Sequence, residues 1–253
     1  ENILRIEDVP DDFPRSEAQR NQVTAAKTRR PAVDREAIGA FLASLSSPVA
    51  FLDYETYPAA VPRFAGYRPF DHIPFQFSLD VVASPGAELV HHEFLHMGAD
   101  NPDLSLLAAL KQAMPAAGSI VVWNQTFERG INDALGERHG DFADWLADLD
   151  QRIVDLMDVF SAQAYVHPDF RGRTSIKSVL PVLVPAFSYK SLAIQEGATA
   201  TTRWNDAVTG KVDAAAADRI RADLLAYCGL DTRAMVEIWR VLLGEAGLLK
   251  RAV

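Results

Sequence analysis

Phe51-Leu52-Asp53-Tyr54-Glu55-Thr56 is the first stretch of the sequence that could do chemistry, an apolar run ending in two carboxylates and a hydroxyl. Val49 to Leu52 suit a strand buried on both faces. In a strand alternate side chains share a face, so Asp53 and Glu55 emerge on the same side. Two ionised carboxylates side by side at the end of a buried strand are costly unless a positive charge stands between them. A hard divalent cation bound through oxygen meets that need, and further acids are expected to close the same site.

Two later segments supply groups of the required kind. Trp123-Asn124-Gln125-Thr126-Phe127-Glu128 follows a short apolar strand and puts Glu128 in the first turn of a helix, where the positive end of the helix dipole favours an acid. Tyr227-Cys228-Gly229-Leu230-Asp231 spaces a phenol and a carboxylate four apart, so on a helix they face the same way. Asp53, Glu55, Glu128, Tyr227 and Asp231 therefore form one candidate site. Thr56, beside the acids, is placed to touch a bound substrate.

His92-Glu93-Phe94-Leu95-His96 spells the rival pattern, the His-Glu-x-x-His of zinc peptidases. That chemistry needs a helix to bring two imidazoles onto one zinc. Here the segment lies between a Pro85-Gly86 turn and Gly98, and Leu89, Val90 and Phe94 favour a strand, which would separate them. Thr209-Gly210-Lys211 lacks the upstream glycine of a phosphate-binding loop, and no Gly-x-Ser-x-Gly elbow occurs.

The elements that must position these groups follow from periodicity. Residues 1–34 are polar and carry Pro10, Pro14 and Pro31, which predicts an arm or linker with one short helix, followed by a domain over 35–253. Ile38, Phe41, Leu42 and Leu45 predict a helix leading into the acid-bearing strand. After Glu55 a proline-rich irregular loop is expected, whose Tyr57, Phe64, Tyr67 and Phe70 serve packing or base stacking. Phe75–Val82 and Glu88–His96 predict a hairpin, Asp103–Met114 a helix, and Ser119–Trp123 a buried strand. A helix capped by Asn124 or Thr126 comes next. Residues 153–160 read as strand or short helix and 175–183 as a helix, with a polar loop over 196–212. Two helical runs, 214–227 and 231–243, close the chain, either separate or joined with little break at Gly229. The order implies a mixed α/β sheet with helices on both faces.

Composition narrows the setting. The chain has 253 residues, 49% of them hydrophobic, enough for a sizeable core. No apolar run is long enough to span a bilayer, and the single Cys228 excludes an internal disulfide, so a reducing cytoplasm is expected. A net charge of −9 disfavours wrapping of duplex nucleic acid, though not an enzyme acting on a strand end. Against that acidity Phe170-Arg171-Gly172-Arg173-Thr174-Ser175-Ile176-Lys177 is basic, with Tyr165, Phe170 and Tyr189 around it. Arg171, Arg173 and Lys177 are candidate phosphate contacts. The first residue is Glu1 rather than Met, which is compatible with a missing N-terminal domain or a protein partner.

Taken in order, Asp-x-Glu at the end of the first strand, Asn-x-x-Phe with an acid after the fourth, and Tyr-x-x-x-Asp in a late helix resemble the three exonuclease motifs of the DEDD superfamily. The tyrosine marks its DEDDy branch, which includes ribonuclease D and polymerase proofreading domains. The resemblance covers residues 48–245. It implies a ribonuclease H-like five-stranded sheet, with the first three strands antiparallel and the rest parallel, and a 3′-5′ exonuclease acting on single-stranded DNA or RNA ends. It further implies two Mg2+ or Mn2+ ions, with Asp53 bridging both, Glu55 and Asp231 on the first, Glu128 on the second, and Tyr227 orienting the attacking water. Asn124 and Phe127, from the second motif, join Thr56 at the substrate. That motif usually ends in Asp, and Glu128 departs from it; Asp155 or Asp158 could be the fourth acid instead. The chain is also similar to an uncharacterised bacterial family sharing Trp-Asn-x-x-Phe-Glu and Ser-Ile-Lys-x-Val-Leu-Pro, in which Glu128 would be the norm. The alternative functions are a non-catalytic ribonuclease H-like binding module and, behind it, the zinc peptidase.

Overall fold

In the computed structural model, residues 3–13 and 16–248 are described. In chain order the elements are α1 (Glu17–Thr28), β1 (Ala32–Val33), α2 (Arg35–Ala43), β2 (Val49–Pro58), β3 (His72–Val82), β4 (Leu89–Leu95), α3 (Asp103–Ala113) and β5 (Ser119–Val122). Then follow α4 (Gln125–Arg138), α5 (Ala143–Arg152), β6 (Ile153–Asp155), α6 (Asp158–Ser161), β7 (Tyr165–Val166), α7 (Ile176–Leu183), α8 (Gly197–Val208) and α9 (Ala214–Glu245). Two compact units interleave along the sequence: one from residues 1–45, 156–187 and 237–253, the other from 46–155 and 188–236.

The second unit holds a five-stranded sheet in the order β4-β3-β2-β5-β6. β2, β3 and β4 are antiparallel, and β5 and β6 run parallel to β2. This is the mixed α/β sheet expected, with its ribonuclease H-like arrangement of an antiparallel meander followed by parallel strands. The alternation of β2 divides its side chains between two layers. Ala50, Leu52 and Tyr54 join Phe77 and Leu79 of β3 in a core closed by Leu106, Leu107 and Leu110 of α3, Ile131 and Leu135 of α4, and Leu146 and Leu149 of α5. Every one of those side chains is nearly or wholly removed from water, the burial that drives assembly.

The opposite face carries Phe51, Asp53 and Glu55, and its partner positions on β3 are Asp80, Ser78 and Gln76. Helix α9 covers this polar face. Gln76 Nε2 donates to the Leu224 carbonyl at 2.9 Å, and the hydroxyls of Ser78 and Thr232 share a hydrogen bond of 2.7 Å. The Gln76 amide N–H and the Ser78 hydroxyl thus find partners on the covering helix. β5 enters beside β2 through Gly118, φ +93°, where a Cβ would collide with the Pro48 carbonyl oxygen.

Several expectations are corrected. The strand bearing the acids does not give way to a loop after Glu55; it continues to Pro58 with a register shift between Glu55 and Thr56. Residues 197–208 form helix α8 rather than a polar loop. Ala200 and Trp204, one turn apart, bury its inner face, where Trp204 stacks on Phe75 with ring centroids 4.4 Å apart. The two C-terminal runs are joined, as the second of the two readings has it, in one 32-residue helix uninterrupted at Gly229.

In the first unit, residues 16–33 hold a full helix and a short strand. Ser16 and Gln19 form a reciprocal capping box at the start of α1, and β1 pairs antiparallel with β7. Phe160, Tyr165 and Phe170 form a buried aromatic cluster. Tyr165 and Phe170 are therefore core residues of this unit.

Candidate metal centre

β2 delivers Asp53 and Glu55 to the α9 face, and α9 brings Asp231 to meet them. One carboxylate oxygen from each of the three lies within 4.8 Å of the others. Glu55 and Asp231 are buried, and Asp53 is partly so. Tyr227 sits one helical turn before Asp231, 4% exposed. Burial, and after it the charges of Asp231, Glu55 and Asp53, pushes the Tyr227 hydroxyl far above its ordinary pKa, so it remains a proton donor.

Glu128 stands outside the three-acid group but belongs to the same field. It is buried, and its Oε2 has no hydrogen-bond partner among the described residues. Burial first, then the charge of Asp53, raises its pKa to about 9. An acid in that state is protonated at neutral pH, and it could ligate a cation only if that ion's charge offset the negative surroundings.

Asp155 has a different task. Asn124 begins α4 in a left-handed conformation, φ 91°, with no side-chain capping bond, contrary to the cap expected from Asn124 or Thr126. The backbone N–H groups of Asn124 and Gln125 donate instead to the two carboxylate oxygens of Asp155, at 3.1 and 2.8 Å. A carboxylate from the end of β6 thus satisfies the orphan donors of the neighbouring helix. Asp158 is exposed and lies in the other unit.

Two neighbours that sequence reasoning did not place at the site hold its carboxylates. The Tyr189 hydroxyl, buried, donates to Asp231 Oδ1 at 2.5 Å, and its ring lies 6.2 Å from that of Tyr227. The Cys228 thiol, expected only as a small core residue, is buried with Sγ 3.4 Å from Asp53 Oδ2. Burial and then the negative charge of Asp53 hold that thiol well above its ordinary pKa, so it stays protonated. Cys228 adjoins Tyr227 in sequence, a signal that could have placed it; nothing in the sequence points from Tyr189 to Asp231.

A cavity of about 540 Å³ is lined among others by Arg68, Phe70, His72, Asn124, Phe127 and Arg138, and by none of the clustered acids. Asn124 and Phe127 thus line a space that could admit a ligand. Thr56 is buried, with its hydroxyl 2.6 Å from His72 Nδ1. Of the loop aromatics, Phe70 is exposed, whereas Tyr67 is buried and donates to Asp103 at 2.5 Å. Arg171, Arg173 and Lys177 are exposed in the first unit and are not part of the acid cluster's own unit. His92 lies within strand β4 and His96 just beyond its end. Four residues of strand span roughly 13 Å, so the two imidazoles cannot share one zinc.

Residues 50–175 match the model of a family described as Domain of unknown function (DUF2779). That stretch includes Asp53, Glu55 and Glu128 and stops before Tyr227 and Asp231. The chain is similar to a protein of Mycoplasma pneumoniae (strain ATCC 29342 / M129 / Subtype 1) named Uncharacterized protein MG366 homolog, with 26% identity over 212 residues. The match covers 77% of this chain and 32% of that protein, so the chain spans about a third of the relative's length. No solved structure matches. No helix among the described residues is long and apolar enough to cross a membrane.

Proposed function

We propose that this chain is a metal-dependent 3′-5′ exonuclease of the DEDDy type, hydrolysing phosphodiester bonds at single-stranded DNA or RNA ends in the cytoplasm. The observation that carries the reading is the convergence of Asp53, Glu55 and Asp231, with one oxygen of each within 4.8 Å of the others, beside Tyr227 on the same helix as Asp231. Hard carboxylate oxygens at that spacing suit Mg2+ or Mn2+. The buried Glu128 Oε2, without a hydrogen-bond partner among the described residues, is an atom that such a site would satisfy.

Asp53, Glu55 and Asp231 would hold the ions, with Glu128 as the fourth acid. Bound there, a pair of divalent ions supplies an acidified water and neutralises charge on the phosphoryl oxygens. Tyr227, held protonated, orients that water through its hydroxyl and is not a general base. Asn124 and Phe127 would receive the terminal nucleotide at the cavity that they line. The sole Cys228, buried and reduced, fits the cytoplasmic setting.

The test incubates a 5′-labelled single strand with the protein and Mn2+, beside Asp53→Ala and Tyr227→Phe. Shortening from the 3′ end is expected, lost in the Asp53 variant and reduced by about 10²-fold or more in the Tyr227 variant. Equal shortening by wild type and Asp53→Ala marks a contaminant. Binding of the strand without any turnover favours the non-catalytic ribonuclease H-like module.

A further inference from the structure

We infer that Tyr189 is a positioning residue for the proposed metal site: its hydroxyl donates to Asp231 Oδ1 at 2.5 Å and so fixes how that carboxylate is presented to the other acids. The inference rests on the two-ion reading above. Tyr189 comes from a part of the chain with none of the three motifs, 42 residues before Asp231. It opens a short helical turn, Tyr189–Ser191, whose first residue is set by Ser188, the side chain of which accepts from the Lys190 N–H at 3.2 Å. The phenol is therefore held by its own capped turn.

Two tyrosines stand at the same carboxylate, with ring centroids 6.2 Å apart and planes at 57°. Their origins give them different work. Tyr227 rides on α9 one turn from Asp231, whereas Tyr189 reaches that carboxylate from another part of the chain and donates to its Oδ1. A carboxylate has two oxygens that can both ligate a cation and can rotate about the Cβ–Cγ bond. A short hydrogen bond from a neutral donor stops that rotation and weakens the bonded oxygen as a ligand, so the group offers one oxygen in one direction. The Cys228 thiol at Asp53 is longer and a weaker donor, and it cannot orient its carboxylate as firmly.

Tyr189→Phe removes the hydroxyl and keeps the ring. The full chain and this variant are titrated with Mn2+, free ion being followed by electron paramagnetic resonance, beside Tyr227→Phe, Asp53→Ala and Tyr189→His, the last returning a ring that carries a donor N–H. Wild type and Tyr227→Phe are expected to bind Mn2+ alike, Asp53→Ala to lose it, and Tyr189→Phe to bind about 10-fold more weakly, with partial recovery in Tyr189→His. On a labelled strand the Tyr189→Phe deficit should shrink as Mn2+ saturates, whereas Tyr227→Phe stays slow at every concentration. Wild-type affinity in Tyr189→Phe overturns the role of Tyr189 and leaves the two-ion reading standing. A Tyr189→His variant as weak as Tyr189→Phe also overturns it, since ring packing rather than donation would then matter. Wild-type protein that binds no Mn2+ overturns both.

Discussion

Asp155 caps a helix that it does not belong to: its Oδ2 accepts from the Gln125 N–H at 2.8 Å, joining the end of β6 to the start of α4. This contact fixes where α4 begins, and with it the depth of Glu128 three residues on. Asp155→Ala is expected to cost about 1–2 kcal/mol of stability, the usual value of a helix N-cap, measured by urea denaturation. It should lower Mn2+ affinity less than Asp53→Ala does, because its role is in the backbone of α4.

Glu128 makes the metal-free protein sensitive to alkali. Its pKa is about 9 in the folded chain against an ordinary 4.5, so its protonated form favours the fold. That contribution is complete below about 4.5 and is lost as the pH rises through about 9. Metal-free protein should therefore show a falling melting temperature between about pH 6 and about pH 9. Glu128→Gln, neutral throughout, should flatten the fall, and Mn2+ should counter it in the wild type by binding the ionised site. A melting temperature that is flat with pH in the wild type would show that Glu128 is not held protonated by its surroundings.

Asp103 anchors the segment that follows the acid-bearing strand. Fully buried, it accepts from the Tyr67 hydroxyl at 2.5 Å and the Arg138 Nε at 3.1 Å, and lies 2.8 Å from His139 Nε2. Arg138 in turn lies over the Tyr67 ring at 4.1 Å. Asp103→Ala leaves the guanidinium of Arg138 in a largely buried place without its carboxylate, and is expected to cost about 3–5 kcal/mol. Asp103→Asn, which keeps an acceptor oxygen, should cost less. Equal stability of the Ala variant and wild type in urea would show that this network does not hold the loop.

Legibility in the sequence followed the physics of each signal. The period of two in β2 placed Asp53 and Glu55 on one face, and the period of 3.6 in α9 placed Tyr227 and Asp231 on one face, because both are local properties of the backbone. The mixed character of the sheet also followed from a hairpin succeeded by crossover helices and strands. α8 was not legible, since its Thr-rich sequence buries only Ala200, Trp204 and Asn205. The cap of α4 was misread because its acceptor comes from Asp155, 30 residues away. Gln76, Ser78 and Asp80 alternate with apolar residues as a half-solvated strand would, yet each is 1% exposed, with polar partners from α9 at Gln76 and Ser78 and from His91 of β4 at Asp80. Tyr189 was hidden for the same reason: a hydrogen bond made through tertiary structure leaves no trace in spacing.

The unbroken course of α9 through Tyr227, Cys228 and Asp231 makes this part of the chain intolerant of indels. One residue added between Tyr227 and Asp231 would turn everything beyond it by about 100° around the helix axis. The carboxylate would then point away from β2 while every other side chain kept its identity. Register along a single rod, more than the choice of any one neighbour, is what evolution would have to leave untouched here.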